Sequence, residues 1–309
     1  MTTQIVPHDF SYESALHDSL KVSWRVEDLI GGGKTLDFTR AFLPDSLAGV
    51  RGIRALSDVE KLALNHIRGN SYLHIFGLVE QFILPFVLEQ TQGAVHGDSG
   101  KVRALATFAD EEAKHIQLFE RFAAEFARGF GTPAGVIGPA SEVAAAVLKH
   151  SRLGVALVVL HLEWLTLRHY LDSVRSDESL DPQFSSLLRH HWQEEAQHAK
   201  VDTLLVDELA RGLTAEQIKQ GIDDFLAIGG ILEAGLRAQQ QLDLEALQAH
   251  IGRTFSPAER EEITVAQVKS YRYALLVQGL EHPNFINAVA ALSAEGAKRV
   301  TDLAHALSQ

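Results

Sequence analysis

One five-residue pattern occurs twice in this chain of 309 residues, and this repeat constrains the fold more than any other feature. Residues 111–115 read Glu-Glu-Ala-Lys-His, and residues 194–198, which begin 83 positions later, read Glu-Glu-Ala-Gln-His. In each half a further glutamate, Glu80 or Glu163, stands inside an apolar run 32 positions before the second glutamate of the pattern. The region therefore repeats one helical unit that carries acids and a histidine.

Helical geometry places the repeated acids and histidines on common faces. Positions three apart share one face of an α-helix, so Glu112 points with His115, and Glu195 points with His198. Two such helices, with two that each offer one glutamate, give the ligand set of dimetal carboxylate bundles. Four carboxylates neutralise two divalent cations, and imidazole suits iron. The spacing predicts a dimetal site with six ligands: Glu80, Glu112, His115, Glu163, Glu195 and His198.

The two isolated glutamates weigh against an ordinary charged surface. One Glu-x-x-His pair on a helix is most often a solvated face. Glu80 and Glu163, however, interrupt apolar runs, where an unpaired carboxylate carries a large desolvation cost unless a cation meets it. Because both acids and both pairs recur at one spacing, the dimetal site is the favoured interpretation.

A third histidine shares the face of the second pair. His191 precedes Glu195 by four positions, so the two lie on one side of the helix, whereas Phe108 occupies the equivalent place in the first half. The alternative is a core or surface histidine, since His191 belongs to the doublet of residues 190–191. We favour His191 as a seventh metal ligand because its face points towards the metals if that of Glu195 does.

The periodicity predicts an all-α protein built on a ferritin-like four-helix bundle at residues 57–210. Residues 1–56 form an N-terminal segment, and residues 211–309 form C-terminal helices, both packed on the bundle within one structural domain. Four bundle helices are expected from Ser57 to about residue 91, from 101 to 130, from Ser141 to about 174, and from Pro182 to about 210.

Local signals outside the bundle predict further helices. A short helix is expected at residues 24–30, before a turn at the three glycines 31–33. Thr214 and Ser256 begin capping boxes, and Pro283 separates the last pattern from a terminal helix at about 284–307. Pro85 is expected to kink the first bundle helix. The C-terminal helices cover the site or form a subunit interface, and a homodimer is expected.

Composition excludes several classes of site and partner. The absence of cysteine rules out disulfides, thiolate ligands and a cysteine nucleophile, so any metal takes oxygen and nitrogen ligands. The net charge of −12 argues against nucleic acid or an anionic membrane as a partner. Residues 1–10 lack the pattern of a signal peptide, and the apolar run near 155–162 is too short to span a membrane. A cytoplasmic location is therefore expected.

The ligand pattern resembles a known family. Glu80, Glu112-x-x-His115, Glu163 and His191-x-x-x-Glu195-x-x-His198 are similar to the ligands of the para-aminobenzoate N-oxygenase family of ferritin-like di-iron oxygenases. The resemblance covers roughly residues 57–210 and implies that all seven side chains bind two iron ions, with manganese or a mixed Mn/Fe pair as a variant. It also implies O2 activation, oxidation of a small organic amine and an electron donor.

Neighbours of the ligands are expected to support the metals or the substrate. The acids that precede the ligand glutamates, Glu111 and Glu194, are expected to accept hydrogen bonds from His198 and His115 on the opposite helix, with Asp202 as a competing partner for His198. Seven residues within about a turn of the ligands are candidate lining of a substrate pocket, although most of them suit an ordinary bundle core: Phe76, Gly77, Ile83, Phe108, Val159, Thr166 and Leu167.

Three alternatives to an N-oxygenase remain from the sequence. A ferritin-like iron oxidase or peroxidase uses much the same ligands, although such chains are often shorter or carry a cysteine-bound iron. A di-iron hydroxylase that acts on carbon has a nearly identical pattern. A helical interaction protein without enzymatic activity gives no reason for buried acids repeated at equal spacing.

Overall fold

The computed structural model describes residues 8–309, which form helices joined by turns and loops and contain no β-sheet. The N-terminal segment contains three short helices: α1 (Tyr12–Ser19), α2 (Val26–Leu29) and α3 (Asp45–Ala48). The predicted helix at residues 24–30 is thus confirmed in shorter form, while α1 has no counterpart in the sequence prediction. The glycines at 31–33 all adopt positive φ, as a tight turn after α2 requires. Most of the stretch used to argue against a signal peptide, residues 1–7, lies outside the described residues.

The bundle consists of five α-helices: α4 (Asp58–Ala94), α5 (Ser99–Phe130), α6 (Ala140–Leu148), α7 (Arg152–Arg168) and α8 (Pro182–Ala210). Helix α4 packs along α5, α7 packs along α8, and α5 meets α8. The all-α ferritin-like fold class is confirmed. Because the two helix pairs carry the repeated patterns, the pairing brings both halves of the repeat together.

Local capping sets several of the helix starts that the sequence predicts. At α4, the Ser57 side chain accepts a hydrogen bond from the Glu60 backbone amide, and the Glu60 side chain accepts one from the Ser57 backbone amide. Helix α8 begins at Pro182, with Asp181 accepting from the Phe184 amide at 2.6 Å. Helix α5 ends at Phe130, and the next residue, Gly131, caps it in a left-handed conformation with a φ of 74°. The expected kink at Pro85 stays a prediction, since α4 continues through that residue.

The predicted third bundle helix is wrong in its start and in its continuity. Ser141 lies inside α6 instead of capping it, and the chain breaks after Leu148 before α7 begins. At this break Ser151 accepts from the Gly154 amide, while Asp224 accepts from the Ser151 amide at 3.0 Å. A partner 73 positions away thus stabilises the interruption. Residues 169–174 then continue α7 as a π-helix.

The C-terminal region forms a second helical group: α9 (Ala215–Ile251), α10 (Pro257–Arg272), α11 (Gln278–Leu280), α12 (Pro283–Leu292) and α13 (Ala294–Ser308), with a π-helix at Tyr273–Val277. The capping boxes at Thr214 and Ser256 are confirmed. The single terminal helix expected at 284–307 is two helices. Ser293 adopts an extended backbone and caps α13 by accepting from the Gly296 amide at 3.0 Å.

A buried polar network fastens the C-terminal helices to the bundle. Asp243 of α9 accepts from the Ser71 hydroxyl of α4 at 2.6 Å and from the Tyr271 hydroxyl of α10 at 2.5 Å. Gln239 donates to the same carboxylate at 2.8 Å. The guanidinium of Arg68 lies over the Tyr271 ring. These contacts join three helices around one buried acid.

Helix α4 is long and apolar enough to cross a membrane by length and composition alone. It therefore exceeds the run at 155–162 that the sequence analysis considered. Within the described residues, however, 72% of its most apolar stretch is buried inside the protein, as expected for a core helix.

Candidate metal centre

The seven predicted ligands lie on four helices that meet in the interior. Helix α4 supplies one, α5 two, α7 one and α8 three, and all are nearly inaccessible to solvent: Glu80, Glu112, His115, Glu163, His191, Glu195 and His198. Charged side chains are rarely buried so fully without partners. The cluster is therefore the strongest departure from an apolar core in the bundle.

Six of these side chains form two overlapping groups that can each hold a metal ion. One group combines Glu80 and His191 with His115 and Glu195, and the other combines Glu112 and His198 with the same two residues. Within each group, one potential ligand atom from every residue lies within 4.8 Å of the others. Because His115 and Glu195 belong to both groups, the two positions are adjacent.

The α5 and α8 side chains interleave closely. Nδ1 of His198 lies 2.9 Å from Oε1 of Glu112 and 3.2 Å from Oε2 of Glu195. Nδ1 of His115 lies 3.1 Å from Oε1 of Glu195. Both imidazoles therefore present the same ring nitrogen, Nδ1, to the ligand glutamates.

His191 joins the cluster through its other nitrogen. Its Nε2 lies 2.7 Å from Oε1 of Glu195 and 3.4 Å from Oε1 of Glu80, while its Nδ1 is buried without a partner. In the first half of the repeat, Phe108 stacks on His198 with ring centroids 3.8 Å apart. The third histidine thus breaks the symmetry of the site.

Glu163 completes the set of four carboxylates. Its carboxylate is buried beside that of Glu195 and near Glu112, and its Oε2 has no hydrogen-bond partner. Both oxygens of Glu112 and Oε2 of Glu80 are likewise buried without hydrogen bonds. Burial of carboxylate oxygens without hydrogen-bond partners costs free energy unless a cation lies beside them.

The electrostatics of the cluster fit two divalent cations. Burial, with repulsion from Glu80, raises the pKa of Glu112 well above its ordinary value, and burial beside Glu195 does the same for the pKa of Glu163. Although burial opposes ionisation of Glu195, attraction by His191 and His198 holds its pKa well below the ordinary range. Four carboxylates balance the charge of two dications, and three imidazoles add neutral nitrogen ligands. The donor set therefore fits a dimetal centre.

The acids that precede the ligand glutamates support the histidines in a crossed pattern. Oε2 of Glu111 lies 2.9 Å from Nε2 of His198, and Oε2 of Glu194 lies 2.9 Å from Nε2 of His115. Because a carboxylate holds Nε2 of each ring, Nδ1 is the nitrogen that faces the cluster and would bind a metal ion. The contacts are those expected from the sequence, and their effect on metal binding stays a prediction.

Asp202 does not take the role of competing partner. Its carboxylate is buried, and neither oxygen has a hydrogen bond, while Glu111 occupies Nε2 of His198. Burial raises the pKa of Asp202 well above its ordinary value. The side chain thus lies one turn beyond the ligands without bonding to them.

The seven candidate pocket residues stay a prediction as a set. Phe76 contacts His191 edge to face at 5.6 Å and lines a small cavity. Gly77 faces Phe119, and the Thr166 hydroxyl donates to a carbonyl of its own helix. The remaining members are buried side chains: Ile83, Phe108, Val159 and Leu167.

The N-terminal segment and α5 add residues that the sequence analysis missed. The Ser19 hydroxyl donates to Glu111, and the Lys114 ammonium donates to Glu194. The Trp24 ring lies parallel to His115 and under the Lys114 ammonium. Lys114 occupies the variable position of the repeated pattern, whereas nothing local in the sequence marks Ser19 or Trp24.

Comparisons with known proteins give one family match and several similar solved structures. The family model described as P-aminobenzoate N-oxygenase AurF matches residues 34–227, more than half of the chain. A search of the curated proteins gives no match. Among solved structures, the chain is similar to an R2-like ligand-binding oxidase with an Fe/Fe cofactor, with 12% identity over 86% of this chain and 93% of that chain and a TM-score of 0.48. A variant of that oxidase with a Mn/Fe cofactor gives 12% identity over 87% and 97% and a TM-score of 0.49.

Proposed function

This chain belongs to the p-aminobenzoate N-oxygenase family of O2-dependent oxidoreductases, and from that premise we propose that it oxidises the nitrogen of a small organic amine. The observation that carries the proposal is the buried cluster of four carboxylates and three imidazoles on four helices. The family supports the reaction class, and the cluster supports the place where it occurs.

The proposed cofactor is a pair of iron ions, with manganese or a mixed Mn/Fe pair as alternatives. The similar oxidases carry Fe/Fe and Mn/Fe cofactors, as their descriptions state. Seven residues would hold the metals: Glu80, Glu112, His115, Glu163, His191, Glu195 and His198. When bound, such a pair supplies the redox chemistry that activates O2.

The chain's own residues orient the ligands and exclude water. Glu111 and Glu194 hold Nε2 of His198 and His115, so both Nδ1 atoms would be available to a bound metal pair. Phe108 covers the ring of His198, and Phe76 and Phe119 contact His191. This apolar shell keeps bulk water away from the oxidant.

The stoichiometry of the proposed reaction indicates which reactants the protein needs. Conversion of an amine to a hydroxylamine inserts one oxygen atom of O2 into an N–H bond and reduces the other to water. This step consumes two electrons and two protons besides O2. An electron donor is therefore part of the proposal, together with O2 and the amine.

A homodimer and a cytoplasmic location stay predictions, to be checked by light scattering and cell fractionation.

Anaerobic loading with Fe(II), followed by exposure to O2 with and without an arylamine, tests the function. Mass analysis of an oxygenated nitrogen product supports the proposal. A product hydroxylated on carbon supports a hydroxylase instead, and an iron mineral core supports storage. Glu112→Ala is expected to lose the product. Glu120→Ala, which changes an exposed acid on the same helix, is the matched control and is expected to retain it.

A further inference from the structure

Each of the two supporting carboxylates uses its second oxygen for a further donor. In Glu194, Oε2 lies 2.9 Å from Nε2 of His115, and Oε1 accepts from the Lys114 ammonium. In Glu111, Oε2 lies 2.9 Å from Nε2 of His198, and Oε1 accepts from a neutral hydroxyl at the end of α1. An ammonium neutralises a carboxylate, whereas a hydroxyl does not. The two halves of the site therefore match in their acids and differ in charge.

The ammonium of Lys114 is held on two sides. Besides its bond to Glu194, it lies 4.1 Å from the ring centroid of Trp24, a distance typical of a cation–π contact. Trp24 is buried, and the carboxylate of Glu194 is only 1% exposed, so solvent screens this ion pair weakly. The positive charge is therefore fixed beside the acid that supports His115.

The other copy of the repeat has no cation at the equivalent position. Gln197 occupies the place in the second copy that Lys114 occupies in the first. Gln197 accepts from the Lys200 ammonium at 3.0 Å, and that ammonium also donates to Asp18 at 3.0 Å. Lys200 is thus paired with an acid outside the metal centre. Within residues 8–309, Glu194 has a lysine partner and the other supporting acid does not.

The charge on a supporting acid acts on a metal ion through the imidazole between them. A carboxylate that accepts the N–H of a ligand histidine raises the basicity of that ring and strengthens its bond to the metal. A cation on the same carboxylate offsets this effect, because it neutralises the charge that attracts the N–H. His115 is therefore expected to be a weaker donor than its lysine-free equivalent would be.

We propose that Lys114 is a positioning residue that acts through Glu194, weakens the bond of His115 to its metal ion and raises the reduction potential of that ion. A weaker donor stabilises a trivalent ion less than a neighbouring anion does, so the ion accepts an electron more readily. This inference rests on the metal pair of the proposed function and is independent of the amine. It makes one of the two ions easier for the electron donor to reduce.

Titration of the metal-free protein with Mn(II), with the free ion measured by electron paramagnetic resonance, tests the affinity. Lys114→Gln matches the second copy of the repeat and removes the charge. We expect it to tighten binding of one of the two ions at least about tenfold, which corresponds to about 1.4 kcal/mol. Lys114→Met serves the same purpose if Lys114→Gln does not fold. Equal affinities in the neutral variant and the wild type would overturn the proposal.

Two further variants separate the charge on Glu194 from other effects. Lys114→Arg keeps a cation beside Glu194 and should bind Mn(II) as the wild type does. Lys200→Gln removes the ammonium that is paired with Asp18, and it is the matched control. It should also bind as the wild type does. A tenfold change in Lys200→Gln equal to that in Lys114→Gln would show that any nearby positive charge has this effect, and would refute the role of Glu194.

Proton NMR of the Co(II)-loaded protein tests which histidine is affected. The exchangeable ring protons of metal-bound histidines are shifted by the ion, and the signals that move in Glu194→Gln and in Glu111→Gln identify His115 and His198. We expect Lys114→Gln to move the His115 signal and to leave that of His198 in place. Equal movement of both signals, or of neither, would contradict an action through Glu194.

Redox titration of the iron-loaded protein without amine tests the effect on electron uptake. Lys114→Gln should lower the midpoint potential of the affected ion by at least about 59 mV, which is a tenfold change in a one-electron equilibrium. Lys114→Arg should keep the wild-type potential. An unchanged potential in Lys114→Gln would contradict the proposed effect on reduction.

Failure of this inference and failure of the proposed function give different results. None of these measurements needs an amine, so a protein that oxidises no amine can still show the effect of Lys114. A protein that binds no metal pair contradicts the proposed cofactor and this inference together. Equal metal binding in the wild type and the neutral Lys114 variants contradicts this inference alone.

Discussion

Glu194 of α8 accepts a hydrogen bond from His115 of α5 at 2.9 Å, and the same carboxylate accepts from the Lys114 ammonium. The first residue of one copy of the repeated pattern therefore supports the last residue of the other copy. Glu111 and His198 form the reciprocal contact at 2.9 Å. The internal repeat thus accounts for both pairs with one geometric rule.

Replacement of either supporting acid by glutamine should weaken metal binding while the fold persists. Glu194→Gln and Glu111→Gln keep side-chain size but remove the charge that raises the basicity of the ligand imidazole. We expect about a 10- to 100-fold loss of metal affinity, measured by competition with a chelator. Circular dichroism of the metal-free proteins should match the wild type. Glu120→Gln, an exposed change on α5, is the control, and equal affinity in all variants would contradict the role.

Loss of a ligand carboxylate should reduce the number of bound metal ions. The wild type is expected to bind two ions per chain, because its four acids balance two divalent charges. Glu195→Ala and Glu112→Ala each leave one charge unbalanced and should lose at least one ion, measured by elemental analysis. Glu195 belongs to both metal-binding groups, so its loss is expected to be the more severe. Two ions retained in Glu195→Ala would refute the ligand assignment.

Much of the fold could be predicted because its signals are local. The capping boxes at Ser57, Thr214 and Ser256 each involve residues three positions apart, so the sequence alone reveals them. The break before α7 is different, since Asp224 of α9 stabilises it from another part of the chain. A prediction based on local patterns therefore continues the helix across such an interruption.

Some residues of the site can likewise be predicted from local spacing, whereas others depend on tertiary packing. The faces of Glu112 with His115 and of Glu195 with His198 follow from helical spacing. The contact of Ser19 with Glu111 depends on how α1 packs against α5 and α8, which no spacing encodes. Which of the candidate pocket residues face a cavity depends on tertiary packing in the same way, because closeness to a ligand along a helix does not fix it.

Asp243 should make the stability of the protein depend on pH. Burial raises its pKa from 3.8 to about 6, so the folded state holds the proton more tightly than the unfolded state does. The free energy of unfolding should therefore fall as the pH rises from about 4 to about 6, by about 3 kcal/mol, since one pKa unit corresponds to about 1.4 kcal/mol. Asp243→Asn cannot titrate and should lose this part of the dependence.

Urea denaturation of metal-free protein between about pH 4 and 6.5 measures this difference. Comparison of wild type with Asp243→Asn cancels the titration of groups that both proteins share. Asp302→Asn, at a largely exposed side chain of α13, is the control and should follow the wild-type curve. Parallel curves for wild type and Asp243→Asn would show that Asp243 has the same pKa in both states.

Removal of His191 should alter the metal centre without emptying it. The imidazole of His191 is neutral when it binds a metal. His191→Ala therefore keeps all four carboxylates that balance two dications, whereas each glutamate variant loses one. Its Nδ1 has no carboxylate partner, so the substitution strands no supporting acid behind it. We therefore expect most of the metal to be retained, with a changed absorption spectrum of the oxidised centre and a lower product yield. Added imidazole should restore the spectrum in part. Wild-type O2 consumption and product yield in His191→Ala would show that this residue is an ordinary core histidine and not a metal ligand.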